Sequence, residues 1–461
     1  MSIKTTVLSL HNNLPPQLSH LGTIYDKVHD FYRQAQWWPK EKIEAWQLNR
    51  IQFVVKLAYE KTEGYRQLFE EKGIKPVDIQ KLEDIKELPF TTKELIRDNL
   101  SAFTIKDAGR WKLYKAMTGG SSGIPFSFYA DRKNSDAEYA FMYNAWESIG
   151  WHESDFGIKL RGAHLGDADN LLKKTEYHRY ALSASFMTEE NYERYMSMIE
   201  ESKATFIHVY PSTLTDLSHL MVSHHDEGRL NKIKHIFLGS ENLYNWQKEL
   251  IKQAFPIAKL MSWYGHSERA IWAPWCEKEE RYHLNPFYGY NEILKGVEDV
   301  DEGEVGELVG TAFWMFGTFF IRYRTNDFAE KGPNHCEKCG RQFQLLNHVD
   351  GRMSEIIISK TGRRISLTVF AGSIMHGKTF EHIKQFRFIQ KEEGAVVLAV
   401  VPAKDFSQED LINLDKSINE FLKDDFTYQI KTVENLSKSK NGKYSYLDQH
   451  LKVERADNSK Y

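Results

Sequence analysis

Between positions 204 and 264 the chain alternates apolar runs with amphipathic ones, and this alternation limits the fold more than any other feature of the sequence. Thr205-Phe206-Ile207-His208-Val209-Tyr210 and Ile233-Lys234-His235-Ile236-Phe237-Leu238 read as buried strands, and between them Leu214, Leu217, Leu220 and Met221 recur at helical spacing. A helical stretch from Trp246 to Ala254 and the strand-like Ala258-Lys259-Leu260-Met261-Ser262-Trp263-Tyr264 extend the pattern. Strand, helix and strand in succession make a largely parallel α/β sheet the economical arrangement. Open sheets of this kind bind ligands beyond the carboxyl ends of their strands. Gly239-Ser240-Glu241 and Tyr264-Gly265-His266-Ser267-Glu268 fall at two such ends, and Tyr210-Pro211-Ser212 and Lys159-Leu160-Arg161-Gly162 fall near two others. Arg161 and Tyr210 are therefore candidate substrate contacts, with Arg161 suited to a carboxylate or other anionic group.

A chain of 461 residues exceeds one ordinary core and calls for at least two domains. The first hundred residues place Phe31-Tyr32, Trp37-Trp38, Trp46 and Phe53 among polar residues as on amphipathic helices, and packing is the expected role of these aromatics. Thr91-Thr92-Lys93-Glu94-Leu95 carries a helix-start signal. After Asp350-Gly351-Arg352 the pattern changes to short hairpins around one amphipathic helix, over 408–422, so a large domain over 1–350 and a small α+β domain over 351–461 are expected. The net charge of −3, with both signs interspersed, gives no electrostatic case for nucleic acid or an anionic membrane. No apolar run approaches the ~20 residues of a membrane span. Met1-Ser2-Ile3-Lys4-Thr5-Thr6 lacks a signal-peptide core, so a cytoplasmic protein is expected.

Upstream, Thr118-Gly119-Gly120-Ser121-Ser122-Gly123-Ile124-Pro125 follows the strand-like Lys112 to Met117 stretch. Glycines let backbone N–H groups approach an anion, and Thr118, Ser121 and Ser122 add hydroxyl donors, so the loop suits phosphates. It is not a Walker loop, because Ile124-Pro125 stands where the lysine and hydroxyl residue would be. Three further segments can share one nucleotide site with it: Tyr264 to Glu268, Tyr323-Arg324-Thr325-Asn326-Asp327, and Gly442-Lys443. Tyr264 could stack on adenine, Glu268 could hold Mg²⁺ on the phosphates, Asp327 could accept from ribose hydroxyls, and Lys443 could neutralise charge at the α-phosphate. Each alone also reads as an ordinary solvated charge or a turn cap.

All three cysteines fall in a second constellation: Cys276, then His283, then Cys336-Glu337-Lys338-Cys339-Gly340. The CxxC-Gly spacing is that of a zinc knuckle, and Cys276 and His283 could complete a tetrahedral Cys₃His structural site within an excursion over 270–340. A buried Cys276 beside an unmetallated CxxC is the bland reading. His219, His224 and His225 precede Asp226-Glu227-Gly228 on a polar helical stretch and read as a solvated face. His266, inside the nucleotide motif, is a candidate for the acyl pocket or acceptor channel.

The ordered series from Leu88-Pro89-Phe90-Thr91-Thr92-Lys93 through Gly442-Lys443 resembles the adenylate-forming superfamily, and within it the phenylacetate–CoA ligase-like and CapK-like branch found in capsular polysaccharide biosynthesis. The resemblance covers most of the chain. It implies a large multi-layer adenylation domain with a small mobile lid, in which Thr118, Gly119, Gly120, Ser121, Ser122 and Gly123 hold ATP phosphates. It further implies that Gly239, Ser240, Glu241, Tyr264, Gly265, His266 and Ser267 line the nucleotide, that Glu268 binds Mg²⁺ and that Asp327 binds ribose. Arg352 then matches a hinge-adjacent arginine, and Lys443 the lid lysine that contacts the carboxylate and α-phosphate. Gly119 stands where the loop usually has serine, Ile124 where it often has Lys or Thr, Asn326 where the third motif has glycine, and Ser354-Glu355 where many members carry a hinge Asp.

The implied activity is ATP-dependent conversion of a small carboxylic acid to an acyl adenylate, with transfer to coenzyme A or to a polysaccharide-precursor acceptor. A homodimer is also implied. Two other classes stand beside it. A scaffold that keeps the fold without turnover agrees with the altered loop and hinge, and a zinc-knuckle nucleic-acid binder would require a basic face that Glu330 and Glu337 argue against.

Overall fold

A computed structural model describes residues 23–106, 113–117, 126–161, 172–176, 178–183, 187–352, 356–361, 364–367, 382–422, 425–437 and 445–451. Its contacts divide the chain into two compact units, Met1–Glu153 with Met261–Val349, and Ser154–Leu260 with Asp350–Tyr461.

The first unit begins with helices made by spacing. Lys40–Lys61 buries Ile43, Gln47, Ile51, Val54, Val55 and Ala58, a stripe of threes and fours along one face. Thr92 caps Lys93–Asp98, its hydroxyl accepting from Leu95 N at 3.2 Å, as the helix-start signal anticipated. These helices share a core with a six-stranded sheet, in which Gly289–Lys295 pairs antiparallel with Val305–Ala312, and that strand with Tyr323–Lys331. A Cβ on Gly289 would lie 2.2 Å from the Ala270 carbonyl oxygen, so only glycine lets the segment after Glu268 press against this sheet. The short hairpin Tyr114–Met117 with Ser127–Ala130 leads into the helix Arg132–Glu147. Trp46 packs against Phe287 and Phe313, in line with the expectation that most of these aromatics are core, whereas Trp37 and Phe53 are 53% and 46% exposed.

In the second unit Gly157–Arg161, Arg179–Ser183, Phe206–Val209 and His235–Gly239 form the expected parallel sheet, with Leu172–Glu176 antiparallel at its edge. Its helices Tyr192–Glu201, Pro211–Ser223 and Asn245–Ala254 bury their apolar faces with these strands. Lys259–Gly265 runs across the division between units and pairs antiparallel with Trp272–Pro274. The C-terminal residues form a separate mixed sheet, ordered Thr427–Thr432, Ala395–Pro402, Ile383–Glu392, Leu447–Gln449, with the helix Gln408–Leu422. Its core of Phe386, Phe388, Leu398, Leu414 and Ile418 includes Tyr244 and has Trp246 packed against it. No helix among the described residues is long and apolar enough to cross a membrane.

Candidate active site and metal centre

Within the first unit the strand end at Tyr264 and the strand beginning at Tyr323 bring two sequence motifs into one hydrogen-bonded cluster. The Tyr264 hydroxyl donates to Asp327 Oδ2 at 2.7 Å, and the Tyr323 hydroxyl donates to Glu268 Oε1 at 2.9 Å. His266 Nδ1 lies 3.2 Å from Glu268 Oε2. Asn326, with φ 59°, takes the left-handed turn that glycine would otherwise supply, and its N–H donates to Glu307 Oε1 at 3.1 Å.

Glu268 is buried. Burial pushes its carboxyl up, but the hydrogen bond and positive field of His266, with the Tyr323 hydroxyl and a backbone N–H, outweigh it and hold the pKa at about 2. The group is thus a fixed anion at neutral pH. Burial, and next the Glu268 charge, push the Tyr323 phenol up, so it stays a donor. His266 Nε2 is buried and meets no polar partner among the described residues.

The next residue, Arg269, has φ 54° and pairs through Nε with Glu138 Oε2 at 2.6 Å. Its Nη1 donates to Asn134 Oδ1 and to Ser135 Oγ, the latter at 3.1 Å, and Ser135 Oγ lies 2.9 Å from the Tyr114 hydroxyl. Neither Arg269 nor Glu138 is marked by sequence reasoning, because more than a hundred positions separate them and neither belongs to a recognisable motif. Tyr323 sits in a motif, yet nothing local shows that its hydroxyl serves Glu268.

In the second unit Ser240, with φ 69°, is exposed at the end of its strand. Glu241 Oε2 accepts from Ser212 N at 3.0 Å, which places a carboxylate at the positive end of Pro211–Ser223, just after Tyr210. Thr118, Gly119, Gly120, Ser121, Ser122, Gly123 and Lys443 lie outside the described residues. Arg161 and Arg352 lie on strands, and their side chains are not described. The solvated reading of the three histidines holds for His224 and His225, which are exposed. His219 differs: it lines a cleft with Trp246 and Phe386, and burial pushes its imidazole down to about 4. The C-terminal module covers that face of the helix.

Cys276, His283, Cys336 and Cys339 converge, their ligand atoms all within 4.8 Å of one another. Zinc–ligand bonds of about 2.3 Å to sulfur and 2.0–2.1 Å to nitrogen at tetrahedral angles put S···S near ~3.8 Å and S···N near ~3.6 Å. The Cys276–Cys336 separation is 3.8 Å and the Cys339–His283 Nε2 separation is 3.6 Å, so the donors fit that ion. None of the cysteines forms a disulfide. Hydrogen bonding from Cys276 and the nearby His283 hold the Cys339 thiol down despite burial, whereas its neighbours Cys276 and Cys336 are pushed up. Arg341, just past the knuckle glycine, pairs with Glu277 at 2.8 Å, donates to Gln36 Oε1 at 2.9 Å and lies 4.3 Å from the Trp37 ring centroid. The exposed Trp37 is therefore a stacking partner of the knuckle.

Comparison with known proteins agrees with this layout. Residues 357–449 match the CapK C-terminal domain. The chain is 24% identical over 328 residues to phenylacetate-coenzyme A ligase of Pseudomonas putida, covering 68% of this chain and 71% of that protein. It is 22% identical over 333 residues to the Escherichia coli K12 phenylacetate-coenzyme A ligase, covering 69% and 73%. In fold it resembles 2-hydroxyisobutyryl-CoA ligase in complex with 2-HIB-AMP, with TM-score 0.75, 17% identity and coverage of 95% and 94%. An anthranilate CoA ligase in complex with anthranoyl-AMP aligns with TM-score 0.52, 14% identity and coverage of 72% and 66%. By sequence the chain is similar to phenylacetate-coenzyme A ligases, residues 357–449 are similar to the CapK C-terminal domain, and the fold is that of the CoA ligases with which it aligns.

Proposed function

We propose that this protein activates a carboxylic acid with ATP. A carboxylate oxygen attacks the α-phosphorus, the bond to the pyrophosphate oxygen breaks with its electron pair, and an acyl adenylate and pyrophosphate form. A thiol, amine or hydroxyl then takes the acyl group, and AMP leaves. The observation that carries this reading is the buried, ionised Glu268, held by Tyr323 and His266 in the same cluster as Tyr264 and Asp327.

Charge placement and orientation do most of the work in phosphoryl chemistry, so no nucleophilic side chain is needed. Mg²⁺ supplies neutralisation of phosphate charge when bound, and Glu268 is the residue to hold it. Its two oxygens keep lone pairs beyond those that Tyr323 and His266 occupy. Tyr264 presents a ring for adenine and at the same time fixes Asp327, whose carboxylate would accept from ribose hydroxyls. The 118–123 loop holds phosphates, Lys443 offsets charge at the α-phosphate, Gly239, Ser240 and Glu241 border adenine, and Arg352 marks the hinge before the C-terminal domain. Arg161, Tyr210 and His266 are the residues assigned to the substrate. Zinc at Cys276, His283, Cys336 and Cys339 is structural, because four protein ligands leave no open position.

Coenzyme A is the acceptor that the phenylacetate–CoA ligase likeness favours, and a nucleophile on a surface-polysaccharide precursor is the one that the CapK likeness favours. The reading is tested by incubating the protein with ATP, Mg²⁺, hydroxylamine and pools of aryl, short-chain, fatty and amino acids. Hydroxamate that requires ATP and disappears in Glu268→Gln supports acyl-adenylate formation; no hydroxamate from any pool counts against it. Replacing hydroxylamine with coenzyme A then tests the acceptor, since a thioester assigns it and AMP release without thioester points to the polysaccharide precursor.

A further inference from the structure

Glu268 sits in a turn whose closing residue is in an unfavourable conformation. Arg269 N donates to the His266 carbonyl at 3.0 Å, which closes a four-residue turn over 266–269 with Ser267 and Glu268 at its centre. Arg269 has φ 54°, a left-handed conformation that costs free energy for a long side chain and persists only where the surroundings enforce it. Glycine takes that conformation freely, so an arginine here is held by what its side chain does.

The side chain reaches one face of the helix Arg132–Glu147. Asn134, Ser135 and Glu138 share that face, because positions three and four apart are neighbours on a helix. Asp131 caps the helix, its Oδ1 accepting from Asn134 N at 2.8 Å, so the first turn is fixed. Arg269 Nε lies 2.6 Å from Glu138 Oε2, and Nη1 donates to Asn134 Oδ1 and, at 3.1 Å, to Ser135 Oγ. A planar guanidinium forks between partners in this way, whereas an ammonium is a single point donor. The two charged side chains are only 19% and 30% exposed, so salt screens the pair less than it would a surface pair. Ser135 Oγ lies in turn 2.9 Å from the hydroxyl of Tyr114, on the first strand of the short hairpin.

The chain is equally confined beyond Arg269. Ala270 is fully buried, and its carbonyl oxygen stands where Gly289 leaves room for it. On the other side of the turn, Tyr323 holds Glu268 by its Oε1. Tyr323 therefore fixes the carboxylate oxygens, and Arg269 fixes the backbone from which that carboxylate extends. All of these residues belong to the first unit.

We propose that Arg269 is a positioning residue for Glu268: its ties to Glu138, Asn134 and Ser135 hold the turn over 266–269 and so aim the carboxylate at the metal–nucleotide complex. This rests on the reading of Glu268 as the residue that holds Mg²⁺.

The test is the affinity for Mn²⁺ in the presence of a non-hydrolysable ATP analogue, read from the electron paramagnetic resonance of the protein-bound ion, with denaturant unfolding measured beside it. The full chain carries Arg269→Ala, Arg269→Gly, Arg269→Lys or Glu138→Gln. Loss of a partner behind a metal-binding carboxylate costs roughly 10–100-fold in metal affinity, so Arg269→Ala should weaken Mn²⁺ binding by at least about tenfold. Arg269→Gly should be more stable than Arg269→Ala, because glycine accepts the left-handed φ, and yet bind Mn²⁺ no better. A role confined to stability would instead make affinity follow stability. Arg269→Lys, which keeps the charge without the fork, and Glu138→Gln should each lose less than Arg269→Ala. Ile51→Val, a core change in the same unit, should lower stability and leave Mn²⁺ affinity at the wild-type value.

Affinity within threefold of wild type in Arg269→Ala, or recovery to that level in Arg269→Gly, overturns the proposal. Hydrogen–deuterium exchange without metal or nucleotide reads the turn itself: uptake in peptides covering 262–272 should rise in Arg269→Ala while the helix Lys40–Lys61 is unchanged. Unchanged uptake over 262–272 also overturns the proposal. Wild-type protein that binds no Mn²⁺ with the nucleotide contradicts the metal role of Glu268, and the proposal with it, whereas wild-type binding that survives in Arg269→Ala removes the proposal alone.

Discussion

The Tyr323 hydroxyl donates to Glu268 Oε1 at 2.9 Å, so the first residue of one motif fixes the last residue of another. Partners that orient a metal-binding carboxylate matter nearly as much as the ligand itself, and their loss costs roughly 10–100-fold in metal affinity. Tyr323→Phe should therefore weaken Mn²⁺ binding in the presence of a non-hydrolysable ATP analogue by at least about tenfold. Electron paramagnetic resonance of free Mn²⁺ measures this directly, and wild-type affinity in the variant would remove Tyr323 from the site.

Glu268 also links stability to pH. Its folded pKa of about 2 lies below the unfolded value of 4.5, so its contribution is present above the unfolded value and is lost as pH falls toward the folded one. Glu268→Gln should flatten the stability profile between pH 4.5 and about 2 and leave its slope near neutrality unchanged. Urea unfolding at a series of pH values shows whether the acid limb differs between the two proteins.

Arg269 and Glu138 carry a different expectation. Arg269→Ala leaves the half-buried Glu138 without its 2.6 Å partner and also frees Asn134 and Ser135. Charged hydrogen bonds of this kind are worth about 2 kcal/mol, so denaturant unfolding should report a loss near that value. Arg269→Lys, which keeps the charge but not the fork, should recover only part of it. Equal stability of all three proteins would show that the pair contributes nothing net.

For the cysteine cluster, metal analysis of protein purified without added metal should find about one zinc per chain, and Cys336→Ser should reduce both the zinc content and the Tm. Chelation should expose Gln36 and Trp37 to proteolysis, because Arg341 reaches both from the knuckle. Metal-free protein with unchanged Tm would overturn the zinc assignment.

Much of the fold is legible in the sequence wherever periodicity and burial agree. The strands Phe206–Val209 and His235–Gly239 are buried throughout and mostly apolar, and the helix Gln408–Leu422 buries Leu414 and Ile418 on one face, so local pattern suffices for each. The zinc-type cluster is legible because the CxxC spacing is itself geometric. His219 is misread because Thr215 and Asp216 share its side of the helix, whereas Trp246 and Phe386, distant in sequence, line the cleft it faces. Trp37 is misread for the converse reason, since a cation over its face lets a large ring stay at the surface. The Arg269–Glu138 and Gln247–Tyr446 pairs join residues more than a hundred positions apart, and no local pattern encodes such a meeting.

The central claim is that this chain makes an acyl adenylate. ATP–pyrophosphate exchange, driven by aryl, short-chain, fatty and amino acid pools and compared between wild type and Lys443→Ala, tests it most directly. Exchange should depend on one class of acid and collapse in the variant. Wild-type protein that is folded and zinc-loaded yet drives no exchange with any pool would contradict it.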